Sequence, residues 1–288
     1  MSDATQTEAG AVVSLWRYPV KSMIGEEVAT VALSERGLAG DRTWALQDST
    51  DGKIATAKNP RKWPNLFAFH ASCHALPGGS NEAAGLRITL PNGTVLTPQT
   101  GNINQILSQA LGRQVTLVST DRHDNGSRAS QDVTSQAEEY WPDIEGLDHR
   151  ETVTDFDLPA GTFFDCATVH LLTITTLGRL RSLYPQGRFE LPRFRPNIVV
   201  RPAGDELTFV EDSWIGQTIA IGEDVRLRIT GPCGRCVMTT LAQGDLPNDT
   251  GILRTAVQHN RANVGVYAAV VRGGTIHRGD RVMVRGAA

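Results

Sequence analysis

The chain has 288 residues, 40% hydrophobic and 20% charged, with 28 Lys/Arg against 31 Asp/Glu for a net charge of −3 at neutral pH. That balance excludes a largely disordered protein and gives no general attraction for nucleic acid. No apolar run reaches the 18 or more residues of a membrane-spanning helix, and MSDATQTEAG at the start lacks the basic and apolar parts of a signal peptide, so the expectation is a cytoplasmic protein off any membrane.

In chain order, residues 1–10 are small and polar and read as a loose tail. From Ala11, VVSLWRYPV, EVATVAL and RTWALQD are short β-rich runs broken by Gly-Leu-Ala-Gly and Asp-Gly, and LRITL, Pro-Asn-Gly and TVLTP read as a hairpin. Ile103, Ile106, Leu107, Ala110 and Leu111 keep helical spacing, with Gly112 placed to cap the end. Residues 131–160 hold nine Asp/Glu against Arg150 alone, a net −8 that leaves +5 for the rest of a chain at −3. A mildly basic body with an acidic connector suits a small anionic ligand and repels long polyanions.

Beyond the connector, CATVHLLTI reads as a buried strand and TLGRLRSLY as a short amphipathic helix. RPNIVVRP, QTIAIG and VRLRIT follow as strands, then GPCGRCVMTT, a helix in DTGILRTAVQHN with Asp249 or Thr250 at its N-cap, and the closing strands VGVYAAVV and DRVMV. Strands dominate both halves without regular helical alternation, so the expected fold is mostly β and barrel-like, with a few short helices.

The four cysteines form no disulfide framework, and only Cys233 and Cys236 share a motif. A thioredoxin-like redox pair needs a helix start, whereas Val-Met-Thr-Thr after Cys236 reads as a strand. A structural zinc site needs a second ligand pair, and adjacent Cys73 and His74 point apart on a strand. No cysteine series for an iron–sulfur cluster exists in the chain. Two readings remain for the pair: small buried hydrophobes, or Cys236 as one thiolate on a soft metal whose other ligands belong to a cofactor. The second requires cationic side chains elsewhere. Candidates are Lys21 and Ser22 in YPVKSM, Arg42 in GDR, and RFRPN, where an extended Arg193 and Arg195 would share a side with Asn197 beside them. Each alone also reads as a solvated surface charge.

Taken in order, YPVKS, GDR, RFRPN and CxRCxxTT resemble the MOSC family, whose members include the mitochondrial amidoxime-reducing component and its bacterial counterparts. The resemblance implies a MOSC N-terminal β-barrel domain over 11–130, the acidic connecting segment 131–160 and a MOSC domain over 161–285. It implies a molybdenum cofactor ligated by Cys236 as the catalytic and metal-binding residue, with Lys21, Ser22, Arg42 and Arg195 on the pterin phosphate and ring, and Asn197 and Thr239 near the metal. The implied activity is reduction of small N-hydroxylated compounds: amidoximes, hydroxylamines and N-hydroxylated base analogues. With no iron–sulfur domain in this chain, electrons would come from a separate ferredoxin-, flavodoxin- or cytochrome-type reductase, and a monomer is the expected state. LAQGDLPNDTG after the motif is longer than the corresponding segment of eukaryotic members and borders the expected substrate mouth. A persulfide carrier at Cys236 and a non-catalytic molybdenum cofactor carrier are the alternative functions.

Overall fold

A computed structural model describes residues 6–74, 85–120, 142–147 and 162–285. The N-terminal half contributes β1 (Gln6–Arg17), β2 (Glu26–Val28), β3 (Thr30–Ser34), β4 (Gly37–Leu38), β5 (Trp44–Asp48), β6 (His70–His74), β7 (Gly85–Thr89), β8 (Val95–Leu96), α1 (Ile103–Leu111) and β9 (Val115–Ser119). The C-terminal half adds β10 (Val169–Thr173), α2 (Ile174–Leu183), α3 (Leu191–Phe194), β11 (Ile198–Pro202), β12 (Thr218–Ile221), β13 (Val225–Gly234), α4 (Gly251–Asn260), β14 (Asn263–Arg272), β15 (Gly274–His277) and β16 (Arg281–Arg285). Most of the acidic connector, 131–141 and 148–160, lies outside the described residues. Among those described, no helix is long and apolar enough to cross a membrane.

The strands form a closed seven-stranded barrel in the order β11-β10-β14-β13-β12-β16-β1, sealed where β1 meets β11, with β2 added along β1. The mostly β, barrel-like expectation therefore holds. Alternation fills the barrel: β13 turns Val225, Leu227, Ile229 and Cys233 inward and leaves Arg228, Thr230 and Pro232 exposed. The first strand, from the N-terminal half, thus completes a barrel built otherwise from the C-terminal half.

Around Val20, Met23, Leu46, Phe69, Ile88 and Leu107 lies a second apolar core, made by the N-terminal sheets and α1. As the spacing predicts, α1 runs over 103–111 and ends on Gly112 in the left-handed conformation (φ 67). Met238 and Leu241, just after the cysteine motif, pack against this core and bring the motif to the N-terminal half. A third core joins α2, α3 and α4 through Leu180, Phe189, Phe194 and Ile252.

Candidate functional site

The cysteine motif leaves the barrel at the end of β13. Cys233 occupies an inward position and is 1% exposed, whereas Cys236 is half-buried. The expected strand at Val-Met-Thr-Thr is corrected: Val237–Thr240 is one 3-10 turn, with Cys236 extended (φ −125, ψ −173) at its start. The backbone N–H and hydroxyl of Thr239 both donate to the Cys236 carbonyl, at 3.2 and 3.0 Å, which curls the chain back on itself. β-branched residues favour a strand only where partners exist for a ladder. Here the carbonyls of Thr239 and Leu241 instead accept from Arg193 Nη1, at 3.0 and 3.2 Å. A single 3-10 turn supplies little macrodipole, so the thioredoxin-like reading still lacks its mechanism, for a different reason.

Arg235, between the two cysteines, donates from Nη1 to Cys233 Sγ at 2.7 Å and from Nη2 to the Phe194 carbonyl at 2.9 Å. Its buried Nε has no hydrogen-bond partner among the described residues. Tyr267 beside Cys233 is held far above the ordinary phenol range, first by burial and then by the neighbouring Cys233, so its hydroxyl stays protonated.

The cationic residues gather around Tyr18. Both the Arg42 and the Arg195 guanidinium lie over its ring, 4.7 and 4.2 Å from the centroid. Burial raises the Tyr18 phenol well above its usual range, with both arginines opposing, and its hydroxyl donates to the Pro196 carbonyl at 3.1 Å. Burial, then the like charge of Arg42, lowers Arg195 to about 10. Arg195 Nη1 donates to the Met23 carbonyl at 2.6 Å. Lys21 is buried, donating to the Phe163 carbonyl at 3.0 Å and pairing with Asp165, which Lys58 also approaches at 3.8 Å. Burial opposes ionisation of Asp165, but the two lysines outweigh it and hold the carboxyl well below the usual range. Ser22 Oγ accepts from the Ala57 N–H at 3.0 Å, which leaves its own proton available to donate.

Backbone strain marks the same place. The described residues include five non-glycine positions with positive φ, and three of them are Ser22 (63), Arg42 (49) and Arg195 (53). Such conformations cost about 1–3 kcal/mol each and persist where surrounding structure imposes them, commonly at ligand clamps.

The extended reading of RFRPN is also corrected. Leu191–Phe194 is a short helix with Pro192 in its first turn, and the left-handed Arg195 ends it. The two arginines therefore diverge, Arg193 toward the Cys236 turn and Arg195 toward Tyr18 and Met23. Asn197 serves as a brace: its Oδ1 accepts from the His170 N–H at 3.1 Å, and its Nδ2 donates to Asp41 Oδ2 at 2.9 Å and the Trp16 carbonyl at 3.3 Å. Asp41 also accepts from the Tyr18 N–H at 2.6 Å and pairs with Arg42. Sequence reasoning passed over Tyr18, Asp41 and Arg235, although all three sit inside motifs it quoted. Arg193 was quoted only as a partner of Arg195, and Asp165 and His170 carried no motif.

His170 connects the two ends. Its Nε2 lies 3.1 Å from the Val264 carbonyl and its Nδ1 3.4 Å from the Arg195 carbonyl, so the single N–H of a neutral ring takes the shorter contact. Burial, reinforced by Arg235, lowers its pKa from 6.5 to about 3. Between those values the unfolded chain binds a proton that the folded chain refuses, so stability falls as pH drops, by up to about 1.4 kcal/mol per pH unit. His170→Gln is expected to remove that part of the acid-side slope, measured as urea midpoints at pH 7 and 5. An unchanged slope would refute the assignment.

Lys21, Arg42, Arg195 and Arg235 thus face two carboxylates, Asp41 and Asp165, and neither Arg195 nor Arg235 has a carboxylate ion pair among the described residues. Buried guanidinium groups with carbonyl and thiol partners only, one with an orphaned Nε, fit an anionic ligand. A half-buried thiol beside them fits a soft metal carried by that ligand.

Two family models match the chain. Residues 9–137 match the MOSC N-terminal beta barrel domain and residues 159–283 the MOSC domain. The chain is a MOSC family protein. This MOSC protein is 27% identical over 309 residues to the mitochondrial amidoxime-reducing component 1 of Mus musculus, covering 97% of this chain and 83% of that one. The component 1 of Homo sapiens is 27% identical over 263 residues, covering 85% of this chain and 69% of its own. A crystal structure of the YUAD protein from Bacillus subtilis aligns over 99% of both chains at 12% identity with a TM-score of 0.48. The MOSC family is associated with molybdenum cofactor binding.

Proposed function

We propose that this MOSC protein binds a molybdenum cofactor through Cys236 and the Lys21, Ser22, Arg42 and Arg195 platform, and reduces small N-hydroxylated compounds with electrons from a separate protein. The observation that carries this reading is the convergence of two left-handed arginines, Arg42 and Arg195, on one buried ring, with Arg195 and Arg235 lacking carboxylate ion pairs among the described residues. The name of its mammalian relatives, amidoxime-reducing component, supplies the substrate class.

When bound, the cofactor would supply two-electron redox chemistry at molybdenum, by which N–OH becomes N–H and, with two protons, the oxygen leaves as water. The chain's own residues hold and orient. Cys236 furnishes the protein thiolate, fixed by the Thr239 contacts to its carbonyl. Lys21, Arg42 and Arg195 hold the phosphate and ring of the pterin, Ser22 donates its hydroxyl proton, and Arg235 keeps positive potential beside the sulfur. In this reading Asn197 and Thr239 brace the site, keeping Asp41 and Cys236 in place. The electron donor is a ferredoxin-, flavodoxin- or cytochrome-type protein.

The test is protein purified from a host that makes the cofactor. Expected are about one molybdenum and one pterin per chain, and reduction of an aryl amidoxime with a chemical electron donor. Metal bound without reduction would make the protein a cofactor carrier, and cyanide-releasable sulfur without molybdenum a persulfide carrier. Arg195→Ala is expected to weaken pterin retention by about 1.5–3 kcal/mol, the worth of a charge-assisted contact, read as pterin surviving gel filtration. Full retention would remove Arg195 from the platform.

A further inference from the structure

Arg193 is fully buried and has no carboxylate ion pair among the described residues. Its Nε donates to the Arg188 carbonyl at 2.9 Å, Nη1 to Thr239 and Leu241 at 3.0 and 3.2 Å, and Nη2 to Pro247 at 2.7 Å. Three of these four carbonyls follow Cys236 in sequence. The planar fork therefore takes up acceptors that a continuing strand would have used, and keeps the segment after Cys236 folded back.

The next two residues face the other way. The Phe194 carbonyl accepts from Arg235, and Arg195, with its backbone reversed at φ 53, reaches Met23 and covers Tyr18. Three consecutive residues thus grip the Cys236 turn, the arginine between the cysteines, and the anion platform. Phe194 is buried among Leu180, Phe189 and Ile252, which makes the grip rigid.

We propose that Arg193 is a positioning residue: through α3 it sets the separation between the Cys236 sulfur and the Ser22–Arg42–Arg195 platform, so that a ligand seated on the platform meets the thiolate. This rests on the cofactor reading above. It assigns different losses to adjacent arginines, because Arg195 acts on retention and Arg193 on ligation.

The experiment compares Arg193→Lys with Arg195→Lys, because lysine keeps the charge and loses the fork. In cofactor-loaded protein, pterin is quantified after release and the sulfur neighbours of molybdenum are counted by X-ray absorption. In cofactor-free protein, amide hydrogen exchange is followed over residues 236–241 and 20–24. Arg193→Lys is expected to retain pterin, lose one sulfur neighbour, and exchange about tenfold faster over 236–241 with 20–24 unchanged. Arg195→Lys is expected to lose pterin without faster exchange over 236–241. An unaltered sulfur count and exchange in Arg193→Lys would overturn the proposal, as would pterin loss with faster exchange in both segments, which is general loosening. If the wild type holds no molybdenum the cofactor reading falls, while the exchange comparison still decides whether Arg193 holds the turn independently of the platform.

Discussion

Cys236→Ala is expected to reduce reductase activity to background and to lose molybdenum, with the fold intact. Cys236 sits at φ −125 and ψ −173, a conformation alanine adopts without strain, and its carbonyl, which Thr239 uses, is unchanged by the substitution. Stability should therefore move by less than about 1 kcal/mol, as for a half-buried position whose backbone contacts survive. Cys233→Ala should do the reverse. It leaves a buried guanidinium N–H without its sulfur acceptor, at about 1–3 kcal/mol, and keeps the metal. Metal analysis and urea unfolding of both variants separate the roles. Loss of molybdenum from Cys233→Ala with retention in Cys236→Ala would invert the assignment.

Gly265→Ala is expected to destabilise the protein by about 3–5 kcal/mol, through backbone strain and overpacking together. Gly265 has φ +83, and an added Cβ would lie 2.4 Å from His170 Nε2 and 2.6 Å from the Leu171 carbonyl oxygen. The carbonyl belongs to β10, paired with β14, so it cannot yield without opening the barrel. Displacing His170 would also disturb its backbone bond to Asn197, and through Asn197 the Asp41 carboxylate beside Arg42. Gly93→Ala is the control: its φ is also +83, with nothing within 4 Å of an added Cβ, so its smaller loss measures strain alone. Equal losses in the two variants would show that the close approach to His170 carries no energy.

The barrel and helices were legible where a local pattern coincides with its tertiary environment. In α1 the apolar spacing, the buried face and the Gly112 terminus agree, and in β13 the alternation of VRLRIT agrees with the buried Val225, Leu227 and Ile229. The errors lie where a distant side chain decides. Val237–Thr240 has strand-forming residues, but Arg193, more than forty positions upstream, takes the carbonyls of Thr239 and Leu241. RFRPN reads as extended, yet Pro192 starts a turn and Arg195 accepts a left-handed backbone that no propensity favours for arginine. Lys21, Ser22, Arg42 and Arg195 could be chosen from motifs, whereas the ring that gathers two of them, Tyr18, reads in sequence as an ordinary core aromatic.

The seam of the barrel has a consequence for biosynthesis. β1 lies between β11 and β16, so a strand that precedes both in the chain must wait until residue 285 has been translated before both of its edges are covered. Until then Ala11 and Val12, whose partners are Arg281 and Asp280, belong to an open edge that invites association with other nascent chains. The core around Val20, Leu46 and Leu107 draws on nearby sequence and can consolidate while the ribosome is still at work. A chain interrupted before β16 would thus present a folded N-terminal core with a sticky, unsealed strand, a species for chaperones to hold or proteases to clear.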